Sequence, residues 1–85
     1  MKFEVQPKAR TAFYGANPYV YTANGRFGRH YSIDQSVKGW RLISYNFNSF
    51  YEGFYFLKLS HAKQAARDME SGHFKESSAI CKMLN

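Results

Sequence analysis

The chain has 85 residues, with twelve Lys and Arg against six Asp and Glu, a net charge of +6, and an aromatic share of 19%. One domain of this length buries roughly 60–65% of the surface its unfolded form exposes, and no Ser/Pro-rich or hydrophobe-poor stretch marks a linker, so residues 1–85 read as a single domain. The lone cysteine, Cys81, excludes an internal disulfide framework and fits a reducing compartment, while no apolar run reaches the length of a signal peptide core or a membrane span.

Phe3 and Val5 alternate with Lys2, Glu4 and Gln6 as a short half-buried strand does, and Pro7 interrupts it. Residues 8–17 show no period and end in the turn signal Asn17-Pro18, so 1–18 is expected to be partly an irregular arm. Tyr19–Ala23 reads as a strand, and Asn24-Gly25 as the tight hairpin turn that follows it, because both residues tolerate positive φ. The chain resumes as a strand over 29–34. After the turn at Lys38-Gly39 comes the longest strand candidate, 40–47, with Trp40, Leu42, Ser44 and Asn46 on one face and Arg41, Ile43, Tyr45 and Phe47 on the other. Neither face is cleanly polar, which suits a central strand. Residues 48–53 read as a turn and 54–58 as the last strand.

Ser60 has the side chain of an N-cap, Ala62, Ala65, Ala66 and Met69 share one helical face, and Gly72 supplies a left-handed stop. Phe74, Ala79, Ile80, Met83 and Leu84 suggest a second, short C-terminal helix. The expected fold is α+β: an antiparallel sheet of three to four strands, packed by one amphipathic helix at about 60–71 and finished by that short helix.

Arg26, Arg29, Lys38 and Arg41 interleave with Tyr21, Phe27, Tyr31 and Trp40. Guanidinium groups for phosphates beside rings that can stack are a recurring chemistry of nucleic-acid binding. The competing reading is snorkelling surface charge over core aromatics. Gly25-Arg26-Phe27-Gly28-Arg29 lacks a Walker lysine or a dinucleotide fingerprint and reads as a turn with two exposed arginines. Phe50 and Tyr51, placed in the 48–53 turn, read as exposed aromatics of the kind that anchor a protein partner. The candidate binding residues are therefore Arg26, Arg29, Lys38, Trp40, Arg41, Phe50 and Tyr51.

Chemistry has little to work with. His30, His61, His73 and Cys81 show no zinc-ligand spacing, the six acids are scattered, and Cys81 sits in an apolar pattern that suits an inert buried thiol. No catalytic residue, metal or cofactor is expected.

The order of strands, closed by an aromatic-Lys strand feeding Leu59-Ser60-His61-Ala62-Lys63-Gln64-Ala65-Ala66-Arg67, resembles over residues 19–70 the three-strand-plus-helix DNA-binding fold of plant ethylene-response factors and integrase arm-binding domains. That resemblance implies a sheet entering the major groove, with Arg26, Arg29, Arg41 and Trp40 as contacts. In size and style the whole chain also resembles small accessory proteins of bacteriophages and mobile elements, anti-CRISPR and anti-restriction inhibitors among them. It implies a non-enzymatic inhibitor, monomer or homodimer, in the host bacterial cytosol, docking on a host protein or nucleoprotein complex. The alternative is direct duplex DNA or RNA binding through a basic, aromatic sheet face.

Overall fold

The computed structural model describes residues 1–7, 18–45 and 51–83, with Tyr51 described by its backbone alone. Six strands form one antiparallel sheet in simple chain order: β1 (Glu4–Pro7), β2 (Tyr19–Asn24), β3 (His30–Ser36), β4 (Gly39–Tyr45), β5 (Tyr51–Phe56) and β6 (Cys81–Lys82). A single α-helix, α1 (Leu59–Ser71), runs between β5 and β6, and a 3-10 turn (Glu76–Ser78) precedes β6.

Alternation along the strands sorts the side chains. Tyr31 and Ile33 of β3, Leu42 of β4, and Phe54 and Phe56 of β5 point to one face, where they are the largest fully buried side chains. Ala62, Ala65 and Ala66 of α1 close that face, and their lack of bulk lets the helix lie close on a sheet of large rings. No helix among the described residues covers the other face, which antiparallel sheets tolerate when it carries polar groups.

The expected three to four strands are corrected to six. β1 pairs with β2 from Glu4↔Thr22 to Pro7↔Tyr19. Proline is admissible there because β1 is an edge strand and needs no outward N–H partner. The expected C-terminal helix is absent from the described residues. Past the 3-10 turn the chain extends instead, as Ile80 N–H donates to the Tyr55 carbonyl (2.8 Å) and Met83 N–H to that of Gly53 (2.7 Å). Those bonds satisfy the free edge of β5, a gain that an isolated short helix does not offer. Tyr51 belongs to β5 and not to a turn, paired with Tyr45, and Phe50 lies outside the described residues.

Local signals shift in register. Helix α1 begins at Leu59 with Lys58 as N-cap and no side-chain cap, so Ser60 lies inside the first turn. Its end is as read: Gly72 adopts φ 81°, and Gly72 and His73 N–H donate to the Met69 and Asp68 carbonyls, a Schellman closure. Cys81 is exposed, not buried. In the β3–β4 turn Gly39 has φ +126°, and a Cβ there would lie 2.6 Å from the Phe56 carbonyl oxygen. Gly39→Ala is therefore expected to cost about 2 kcal/mol, read as a lower urea midpoint at unchanged m-value.

Candidate binding surface: a locked hairpin tip

The β2–β3 hairpin runs on past its strands. Gly25 N–H donates to the Arg29 carbonyl (2.9 Å) and Arg29 N–H to the Arg26 carbonyl (3.2 Å), so the corner is Phe27-Gly28, with φ 58° and 75°. Asn24-Gly25 is thus not the corner. Gly25 serves a different need: a Cβ there would collide with the Glu70 carboxyl group and the Tyr31 ring.

Glu70, in the last turn of α1, gathers the hairpin. Its Oε2 accepts from Arg26 N–H (2.6 Å) and Arg26 Nε (3.2 Å), and its Oε1 from the Tyr31 hydroxyl (2.8 Å). Arg26 Nη2 donates to the Glu70 carbonyl (3.2 Å) and Arg29 Nη1 to that of Met69 (3.3 Å). Both arginines therefore serve the carbonyl end of the helix, which lacks intrahelical donors and carries negative partial charge. The Glu70 side chain is 15% exposed. Desolvation would raise its pKa, but the bonds from Arg26 and Tyr31 outweigh that and hold the carboxyl below its ordinary value. Burial, reinforced by the bond to Glu70, pushes the Tyr31 hydroxyl up.

This lock carries Phe27 at its apex. Phe27 is 84% exposed, the most exposed of the large hydrophobic residues described. A left-handed backbone costs a bulky L-residue roughly 1–2 kcal/mol, and this side chain recovers none of that by burial.

The sequence-nominated residues do not share one surface. Arg26 and Arg29 stand at the β2–β3 end, whereas Lys38 is in the β3–β4 turn at the other end, its Nζ 5.6 Å from the Tyr55 ring centroid. Arg41 lies mid-sheet on the open face and grips Asp34 with two bonds, 2.9 and 2.7 Å. The hydrogen bonds that Arg41 donates to Asp34 outweigh burial and raise the Arg41 pKa. Trp40 points to the opposite, helix-covered face, edge-on to Tyr21 at 6.2 Å. The described open face carries Lys2, Lys38 and Arg41 with Glu4 and Asp34 among them, and Arg41 is paired with Asp34, so it is not a strongly basic face.

Beside the lock, a cleft of about 300 Å³ opens between Tyr45 and Phe74, with Arg29, Ser44 and Glu52 on its walls. No group of three or more His, Cys, Asp or Glu among the described residues could hold a metal ion. His30 Nδ1 instead lies 2.6 Å from Asn24 Oδ1, its ring 4.9 Å from that of Tyr45.

Sequence reasoning missed Phe27 as a site and Glu70 altogether. One signal was present: Glu70 sits in a last helical turn that contains no basic residue. A carboxylate at the negative end of a helix needs donors from elsewhere. No protein-family model, curated protein or solved structure matches this chain.

Proposed function

We propose that the chain is a non-enzymatic binding protein of the phage-inhibitor type, which docks on a host nucleic-acid-handling complex and blocks it, with the 26–29 hairpin tip as its anchor. The observation that carries this reading is Phe27: a large, exposed ring held at unfavourable φ on a hairpin fastened to α1 by Glu70. The corner needs positive φ, but Phe meets that need at greater cost than Asn or Gly, and a ring kept there without burial points to a contact outside the fold. A rigid aromatic flanked by arginines has the composition of an interface hot spot, and prior locking lowers the entropy lost on docking.

The charge narrows how blocking would work. At +6 the chain cannot imitate a nucleic acid, so it would seat on an acidic protein surface or beside bound nucleic acid. The alternative is direct duplex DNA or RNA binding through the sheet face; its major-groove form, which the ethylene-response-factor resemblance implies, has the weaker geometric fit. Six strands at ~4.8 Å spacing make a face about 24 Å wide, twice the width of the groove at about 12 Å. No helix among the described residues is long and apolar enough to cross a membrane.

The test is capture from bacterial lysate by tagged wild type and Phe27→Asn, after nuclease treatment and at raised salt. Asn accepts this backbone, so the variant should be more stable by about 1 kcal/mol, a melting point roughly 4–8 °C higher. It should also lose at least about tenfold in capture of the partner. Equal capture by both proteins would overturn the anchor. Loss of all wild-type capture on nuclease treatment would overturn protein docking.

A further inference from the structure

We infer that the outer edge of β1 is a docking site for an extended polypeptide segment of a protein partner, which adds as a further strand and brings an acidic side chain to Lys63 and Arg67. The inference rests on the docking reading above and names a second contact made with the same partner.

The sheet ends at β1 and β6. β6 has only two residues, and its Lys82 pairs with Glu76. β1 has four, every one of them exposed. In an antiparallel pair, every second residue turns its N–H and C=O away from the neighbour. Bonded to β2 on one side, β1 therefore presents free backbone donors and acceptors on the other. Pro7 ends the row, so an added strand pairs from there back toward the N-terminus. Alternating donors and acceptors are matched by another polypeptide backbone. Phosphates only accept, so a nucleic acid would leave the carbonyls of this edge without partners.

The side chains beside the edge narrow the class of segment. Val5 lies opposite Tyr21 on the helix-covered side and is 56% exposed. Phe3 shares that side and packs against the core. Lys63 Nζ lies 5.7 Å from the Phe3 ring centroid and 5.0 Å from that of Tyr21, and the Arg67 guanidinium lies 5.6 Å from the Phe3 centroid. Neither cation meets a carboxylate among the described residues, where the ion pairs engage Arg26, Arg41 and Lys82 instead. Residues two apart on a strand share a face. An added strand can thus set an apolar residue against Val5 and an acidic one beside Phe3, next to both cations.

A second copy of this chain is the poorer occupant. Twofold pairing of two β1 edges would put both helices on one side of the joined sheet and gather both sets of Lys63 and Arg67 at the junction. Like charges brought together oppose that pairing. The same two cations that repel a copy attract an acidic strand.

The experiment titrates the peptide Thr-Glu-Thr-Val-Thr-Glu-Thr into the full chain and follows the backbone amides by NMR. Its symmetry sets an acid two residues from the valine in either strand direction. The largest shifts should fall on Phe3, Glu4 and Val5 and spare Cys81 and Lys82. The peptide with Lys for both Glu, and the peptide N-methylated at every residue, should each bind at least about tenfold more weakly. Lys63→Gln/Arg67→Gln should weaken binding about threefold to tenfold. Thermal unfolding shows whether that variant is folded; if it is not, Arg67→Gln replaces it and should bind about twofold to threefold more weakly. Phe27→Asn should bind the peptide as wild type does, so failure of the tip and failure of the edge are read separately. No saturable shift at the β1 amides, or equal binding by either control peptide or by the folded helix variant, would overturn the inference. A dimer in sedimentation that shifts the β1 amides without peptide would overturn it in favour of a second copy.

Discussion

Replacing Phe56 with Ala is expected to cost about 3–5 kcal/mol and to leave a chain that barely folds. The ring is 1% exposed and belongs to the one core cluster, with Tyr31, Ile33, Leu42, Phe54 and the three buried alanines of α1. Those alanines have no side chain to extend into a void, and the strand beneath is held by Trp40↔Phe56 pairing on β4, so collapse around the cavity would be limited. Total stability for a domain of this length is on the order of 4–13 kcal/mol at ordinary values per residue, so about a quarter or more of it would go. Urea unfolding should show a much lower midpoint, and a cost below about 1 kcal/mol would remove Phe56 from the core. Leu57→Ala is the control. Leu57 is 70% exposed, and its loss should change stability by no more than about 0.5 kcal/mol.

The residues that made this core visible in the sequence are those whose pattern is local. Trp40, Leu42 and Ser44 alternate along β4, Ala62, Ala65 and Ala66 recur at helical spacing, and Gly72 takes the left-handed backbone of a helix stop without steric cost. The edges of the sheet were not legible, because pairing there is decided by the neighbour. Pro7 breaks a strand anywhere but at an edge, and Ile80 and Met83 share a helical spacing until the open edge of β5 offers them backbone partners. The site was harder still. Arg26 and Arg29 are readable as basic residues, but their engagement with the end of α1 spans 44 and 40 residues of sequence.

That long-range lock yields the second large effect. Glu70→Ala removes the acceptor for the Arg26 backbone N–H, the Arg26 Nε and the Tyr31 hydroxyl together. Tyr31 is fully buried, so its hydroxyl would be stranded at about 1–3 kcal/mol, and the two bonds from Arg26 add about 1 kcal/mol between them, for a total near 3 kcal/mol. Glu70→Gln keeps an acceptor for Tyr31 but loses the charge facing Arg26, and should cost about half as much. The two variants also separate by pH. The folded carboxyl is held below its ordinary value of 4.5, so the unfolded chain takes up the proton first. The stabilisation from Glu70 is therefore complete above that value and is lost as pH falls through the folded pKa. Wild type should lose stability more steeply than Glu70→Gln below about pH 4.5, as measured by urea unfolding at successive pH values. Parallel curves for the two proteins would exclude Glu70 as the lock. If the lock is real, Glu70→Ala should also weaken partner capture although Phe27 is untouched, because the tip would then have to be ordered at the moment of docking.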